Sequence, residues 1–192
     1  ADGATANLIT SGNITSAGAL TLDAGTGNSD VIISNGNQIQ GSAVSLLSGT
    51  GAAAKVRIGN GNASVTATTG NLSITTPQLD MSAGSNSITA TLGSITTSQP
   101  NAASLQVNLG AGSSINASAA GQDITFNGAG ININGAGEGL INANDNVALN
   151  GGAAAVVANL DEIRGSMTGT GTSVSITTDN VAGNLNIGTA TG

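Results

Sequence analysis

Aliphatic and polar residues alternate along this chain in short bursts. In the stretch Thr69–Thr97, TGNLSITTPQLDMSAGSNSITATLGSITT, Leu72 alternates with Ile74, Leu79 with Met81, and Ile88 with Ala90. Successive side chains on an extended backbone point to opposite sides, so period two predicts strands with one face buried. Each burst lasts only about four or five residues and gives way to Gly, Asn, Ser or Pro, which favour turns. The chain must therefore reverse or bend roughly every seven to ten residues.

The same bursts predict strands at Leu8-Ile9, Ile14, Leu20-Leu22, Val31-Ile33, Ile39, Val44-Leu46, Val56-Ile58, Val65-Ala67 and Leu72-Ile74. They continue at Leu79-Met81, Ile88-Ala90, Ile95, Leu105-Leu109, Ile115-Ala117, Ile124-Phe126 and Ile131-Ile133. The last are Leu140-Ile141, Val147-Leu149, Val156-Val157, Val174-Ile176 and Leu185-Ile187. No change of composition interrupts them, so residues 1–192 read as one unit.

One segment departs from this rhythm. In Ala153–Arg164, AAAVVANLDEIR, Val156, Leu160 and Ile163 stand at helical spacing. A helical insertion competes here with a strand at Val156-Val157 followed by a charged loop. The likeness of its start to AAAKVRI at 52–58, which reads as strand, favours the second.

Repeats this dense fit a β-sandwich, a propeller or a solenoid. Sandwich strands run five or six residues and carry bulky side chains between sheets about 10 Å apart, heavier than anything here. Propeller blades bring recurrent aromatics, which this chain lacks. The reading that remains is all-β: a parallel β-helix, or β-solenoid. Two or three short strands per coil would each send about one aliphatic residue into a thin core. Coils of about twenty residues imply eight or nine coils and, at about 4.8 Å per coil, a rod of roughly 40 Å. Turn asparagines would bond to the same position one coil away. Pairs such as Asn35-Gly36-Asn37 and Gly59-Asn60-Gly61-Asn62 would supply backbone with positive φ.

Composition narrows the picture further. Among 192 residues there are one Phe and no Trp, Tyr or Cys, so Val, Ile, Leu and Ala must fill the interior. Charged residues make up 7%, far below the roughly 25% of an average soluble domain. Lys and Glu, the usual helix-surface residues, are scarce, which argues against helices. A mean hydropathy of +0.18 with regularly placed aliphatics argues against disorder.

The net charge is −7 and Lys55, Arg57 and Arg164 are the sole cations, so no basic stripe exists to neutralise phosphates and no nucleic-acid partner is expected. The longest apolar run, Ala153–Ala158, is far short of the roughly eighteen residues a membrane span needs. A start at Ala1 without a basic or apolar leader fits a processed or excised segment, and either fits export.

With no His and no Cys, zinc centres, thiol nucleophiles and His-based triads are excluded. No catalytic residue, metal ligand or cofactor is assigned. The carboxylates Asp2, Asp23, Asp30, Asp80, Asp123, Glu138, Asp145, Asp161, Glu162 and Asp179 are scattered at about one per coil. Asp123 and Asp145 are the best candidates for a glycosidase-type pair, which needs carboxyls about 5–9.5 Å apart. The alternative is that these carboxylates are solvated turn residues that keep the rod soluble. Gly25–Ile32, GTGNSDVI, and Asn142–Asn146, NANDN, are faintly like calcium-binding β-roll repeats, but neither recurs in tandem. The pairs Thr68-Thr69, Thr75-Thr76, Thr96-Thr97 and Thr177-Thr178 suggest an ice-binding hydroxyl face, although β-branched Thr also suits any strand.

The phrases GNLSITT, GSITT, SVSITTD and GNLNIGT resemble the degenerate repeats of filamentous-haemagglutinin-like exoproteins and related large bacterial surface adhesins, from about Leu8 to Ile187. The resemblance implies a right-handed β-helical passenger at the cell surface or outside the cell. The expected function is that of a non-enzymatic structural rod, an adhesin shaft or self-assembling matrix fibre. Its expected partners are further copies stacked end to end through the terminal coils, and host or matrix glycans. A polysaccharide-degrading β-helix using grouped Asp residues is the first alternative, and an ice- or calcium-binding solenoid the second.

Overall fold

The computed structural model describes residues 6–59, 61–135 and 139–182. It is all-β, with nineteen strands among the described residues wound as a parallel solenoid. The first coil is β1 (Leu8–Thr10), β2 (Ile14–Thr15) and β3 (Leu20–Asp23), and the second β4 (Val31–Ile33), β5 (Gln38–Gly41) and β6 (Val44–Leu47). The third is β7 (Lys55–Ile58), β8 (Ser64–Ala67) and β9 (Leu72–Thr75), and the fourth β10 (Gln78–Met81), β11 (Ser87–Ala90) and β12 (Ile95–Ser98). The fifth is β13 (Ser104–Leu109), β14 (Ser114–Ala117) and β15 (Ile124–Asn127). In the sixth, β16 (Gly130–Asn134) precedes β17 (Leu140–Asn150), which covers two faces. A seventh pass is traced by β18 (Val156–Thr170) across all three faces, and β19 (Val174–Ala182) covers two more.

Every strand pairs in parallel with its equivalent one coil away, giving three sheets around a common core. Down the first sheet the register passes through Leu8, Val31, Val56, Leu79 and Val107, steps of 23, 25, 23 and 28 residues. Coils are thus wider and fewer than eight or nine turns of about twenty. Three strand passes and three turns are laid down before the chain returns to its starting sheet, and that takes about 25 residues. The seven strand-to-strand intervals from β1 to β19 give a length of about 34 Å.

Many of the short strands bury two inward side chains rather than one. The pattern in β7, β8, β10, β11 and β14 is half-buried, buried, half-buried, buried, so Val56 and Ile58, or Leu79 and Met81, both face inward. Parallel register then stacks like on like. Ile39, Val65, Ile88, Ile115, Ile141 and Ile163 form one column, and Ala67, Ala90, Ala117 and Ala143 another. The alanine column keeps the interior narrow, which is why Phe126, the one aromatic side chain, suffices for this core.

Turns are fixed by glycine and amide groups. Gly36, Gly59, Gly61 and Asn62 have positive φ, as the Asn-Gly pairs predict. Turn asparagines do reach the next coil, but they grip its backbone. The side-chain oxygens of Asn7, Asn13 and Asn71 accept from the N–H of Asp30, Gln38 and Ser94, at 3.1, 2.8 and 3.0 Å. Side-chain ladders sit instead on the outer faces of strands, where Asn142 donates to Asn116 at 2.7 Å and Asn150 to Asn127 at 2.9 Å.

Ala153–Arg164 contains no helix, since Val156–Thr170 is strand. Val156, Ala158 and Leu160 point inward by strict alternation, and a corner then shifts the phase so that Ile163 is buried as well. A strand that turns a corner thus imitates helical spacing. Asp161 and Glu162 lie at that corner within the strand, so the expected charged loop is absent. The candidate strand Leu185-Ile187, the phrase GNLNIGT, Asp2 and Glu138 lie outside the described residues.

Candidate functional site

Asp123 and Asp145 come from adjacent coils, at the turn before β15 and at the register shift inside β17. Asp123 Oδ1 accepts from the backbone N–H of Asn146 at 3.1 Å and from Asn146 Nδ2 at 3.0 Å. Its carboxylate therefore latches one coil to the next, while Asp145 faces solvent. Asp30, in the first calcium-like stretch, likewise accepts from the backbone N–H of Lys55 at 2.8 Å. In the second stretch, Asn142 and Asn146 are engaged with Asn116 and Asp123. Among the described residues no three acidic side chains converge.

Among the described side chains, the threonine pairs at 68–69, 75–76 and 96–97 do not share a face; the side chain of Thr178 lies outside them. Thr75 and Thr96 are outward neighbours of Thr76 and Thr97, which are fully buried. Thr68 and Thr69 lie in a turn, their hydroxyls bonded to the carbonyls of Gly41 and Ser42. A hydroxyl column does form on the third sheet, from other residues: Thr21, Ser45, Ser73, Thr96 and Thr125 are in continuous register. Within it Ser45 and Ser73 hydrogen-bond to each other at 3.2 Å.

The first sheet carries the most varied chemistry. One outward column runs Lys55, Gln78, Gln106, Asn132 and Val157, and the other runs Ile32, Arg57, Asp80, Asn108, Asn134 and Asn159. At the lower end Arg57 Nε lies 3.6 Å from a carboxylate oxygen of Asp80, whose other oxygen accepts from the Ser82 hydroxyl at 2.6 Å and the Ser82 N–H at 3.2 Å. Shallow depressions of about 350 and 210 Å³ flank Arg57, the first lined by Ile32, Asn35 and Gly59 and the second by Gly59, Asp80 and Ser82. Above this charged foot every outward residue from β10 to β16 in the two columns, apart from Asp80, is a carboxamide. The sequence signal is the pair QVN at 106–108 and NIN at 132–134, but it registers only once the coil length is known.

A ridge borders this face where the third sheet turns into the first. The connecting turns differ in length: 24–30, 48–54, 99–103 and 151–155 are long, and 76–77, 128–129 and 171–173 are short. The long turn 99–103 reaches past the short turn 76–77, with Asn101 Nδ2 donating to the Thr50 carbonyl two coils below. Gln78 Nε2 donates to the Ala52 carbonyl at 3.1 Å, which anchors the amide column to the foot of the ridge.

On the second sheet Arg164 makes a two-pronged contact with Glu162, Nε to Oε1 at 2.8 Å and Nη2 to Oε2 at 3.0 Å. That hydrogen bonding, with the attraction of the guanidinium, lowers the Glu162 pKa below the ordinary carboxylate value, and the same contact raises that of Arg164. Among the described residues no helix is long and apolar enough to cross a membrane. The chain matches no protein-family model, no curated protein and no solved structure.

Proposed function

We propose that the chain is a non-enzymatic structural rod of an extracellular or cell-surface bacterial protein, working as an adhesin shaft or as the unit of a self-assembling matrix fibre. The observation that carries this reading is that several polar groups the sequence offered for chemistry hold coil to coil instead. The carboxylates of Asp30 and Asp123, and the amides of Asn142 and Asn150, all bond one coil away. A rod built this way resists bending and shear at every step, because each coil is tied by side chains as well as by the backbone ladder.

The resemblance of the repeat phrases to those of bacterial surface adhesins supports the same reading. So does the first coil, where Leu8, Ile14 and Leu20 are only partly covered and a depression of about 310 Å³ opens between Leu8, Asn13, Ile14 and Leu22. An edge of this kind suits stacking by a further coil.

The grouping of Lys55, Arg57 and Asp80 on one sheet is what favours the alternative of a polysaccharide-degrading enzyme. The test is incubation of the purified chain with neutral and acidic polysaccharides, assayed for new reducing ends and for unsaturated products. No release is expected. Release that is abolished by Asp123→Ala or Arg57→Ala would overturn the structural reading. Labelling of intact source cells with antibody against the chain checks the location, and signal confined to permeabilised cells would refute it.

A further inference from the structure

We infer that the outer face of the first sheet is a docking track for a linear, neutral polysaccharide of extended form, such as a β-1,4-linked glucan or mannan. The inference rests on the non-enzymatic reading above, and it assigns a ligand class to a face of the rod.

Three features of the face combine. The first is chemistry. Gln78, Gln106 and Asn132 in one column and Asn108, Asn134 and Asn159 in the next put six carboxamides on four consecutive strands. A carboxamide offers two N–H donors and a carbonyl with two lone pairs, so it answers a sugar hydroxyl in either role. The ladder between Asn132 Nδ2 and Gln106 Oε1, at 2.9 Å, uses one donor of the first and one lone pair of the second. It ties the two side chains together and uses neither N–H group of Gln106 nor the second N–H of Asn132.

The second feature is spacing. Equivalent amides repeat at about 4.8 Å along the rod, and from β10 to β18 the track spans about 14 Å. An extended pyranose chain advances by a similar distance per sugar, so each successive residue meets at least one amide on the strand beneath it. The third is shape and charge. The ridge formed by turns 48–54, 99–103 and 151–155 runs parallel to the columns and confines a polymer to the direction of the rod axis. The net charge of −7 and the carboxylate of Asp80 in the track disfavour polyanions, while Val157, 43% exposed at the upper end, gives a sugar ring an apolar surface to rest on.

The experiment is affinity electrophoresis of the full chain through gels containing hydroxyethylcellulose, glucomannan, polygalacturonate or no polymer. Retardation is expected in the two neutral gels and absent in polygalacturonate. The double variant Gln106→Ala/Asn132→Ala should weaken it about tenfold, the effect of losing two or three hydrogen bonds. Thr96→Ala/Thr125→Ala, on the third sheet, should leave it unchanged. If the double variant melts early, Asn108→Ser, which keeps a hydroxyl, replaces it and should weaken retardation by a smaller factor. Passage of the unaltered chain unretarded through both neutral gels would refute the track, as would retardation only by the polyanion or equal retardation of the variants. Failure of the track leaves the rod standing, whereas release of reducing ends from the gel polymer would refute the non-enzymatic reading itself.

Discussion

Thr97 of β12 lies in direct parallel register with Ile74 of β9, 23 residues earlier, and with Phe126 of β15 on its other side. The two repeat phrases GNLSITT and GSITT are therefore stacked coil on coil, and the alignment drops a hydroxyl into a column otherwise made of Leu22, Leu46, Ile74, Phe126 and Leu149. Thr97 is fully buried and its hydroxyl has no hydrogen-bond partner.

Thr97→Val should accordingly stabilise the protein. Valine keeps the branched shape and removes a buried polar atom without a partner, whose cost is roughly 1–3 kcal/mol. Urea unfolding should give a higher midpoint with an unchanged slope. A midpoint equal to or below that of the parent chain would mean that the hydroxyl finds a partner in solution.

Much of this was legible in the sequence, and the pair Ile74 and Thr97 shows both how and where it stopped. Period-two alternation located the strands because burial on one face is decided locally by which residues are aliphatic. Coil length was not legible in the same way. It depends on how many residues each corner takes, and the turns between the third and first sheets range from two residues to seven with little change in composition. Without the coil length, the amides of Gln106 and Asn132, 26 residues apart, look scattered, and the threonine pairs look like a face. Asp123 and Asp145 were correctly brought to neighbouring coils by their spacing, yet nothing in the sequence says that Asn146 occupies the Asp123 carboxylate.

Gly93→Ala should be severely destabilising. A Cβ at Gly93 would run into the carbonyl of Gly70 one coil below, and it would stand 2.8 Å from the backbone nitrogen of Asn71. These are backbone atoms fixed by the parallel ladder, so the corner must open to admit the methyl group. A loss of about 3 kcal/mol is expected, comparable with overpacking in a core. Gly12→Ala, where a Cβ meets nothing within 4 Å, is the matched control and should change stability by no more than about 0.5 kcal/mol. Equal unfolding midpoints for the two variants would contradict the close approach.

Acid should loosen the last coils through Glu162. Its pKa is lowered in the folded protein by the hydrogen bonds and charge of Arg164, so its contribution is present above the ordinary carboxylate value of 4.5 and is lost as pH falls through the lower folded value. The pair is exposed to solvent, so the effect is small. Urea midpoints measured from neutral to acid pH should fall on the acid side, and Arg164→Ala should flatten that part of the curve. An unchanged acid limb in Arg164→Ala would show that the pair contributes nothing measurable.

End-to-end stacking is the prediction with the widest reach. In the first described coil β1, β2 and β3 pair with β4, β5 and β6, and among the described residues no strand pairs with their other edges. Beside them Leu8, Ile14 and Leu20 are partly covered aliphatics packed against the core, which a further coil would bury. Charge is a weak barrier, since −7 is spread over about 34 Å of rod and physiological salt screens it within about 8 Å. Negative-stain microscopy and sedimentation of the isolated chain should reveal fibres with subunits in axial register. Ile14→Lys should disperse them, because a charge in the stacking edge must be desolvated for the next coil to dock. Circular dichroism of the variant should keep the β spectrum of the parent, which separates lost stacking from lost folding. A dispersed, fully monomeric parent chain at micromolar concentration would reject self-assembly, and fibres that survive Ile14→Lys would place the contact elsewhere on the rod.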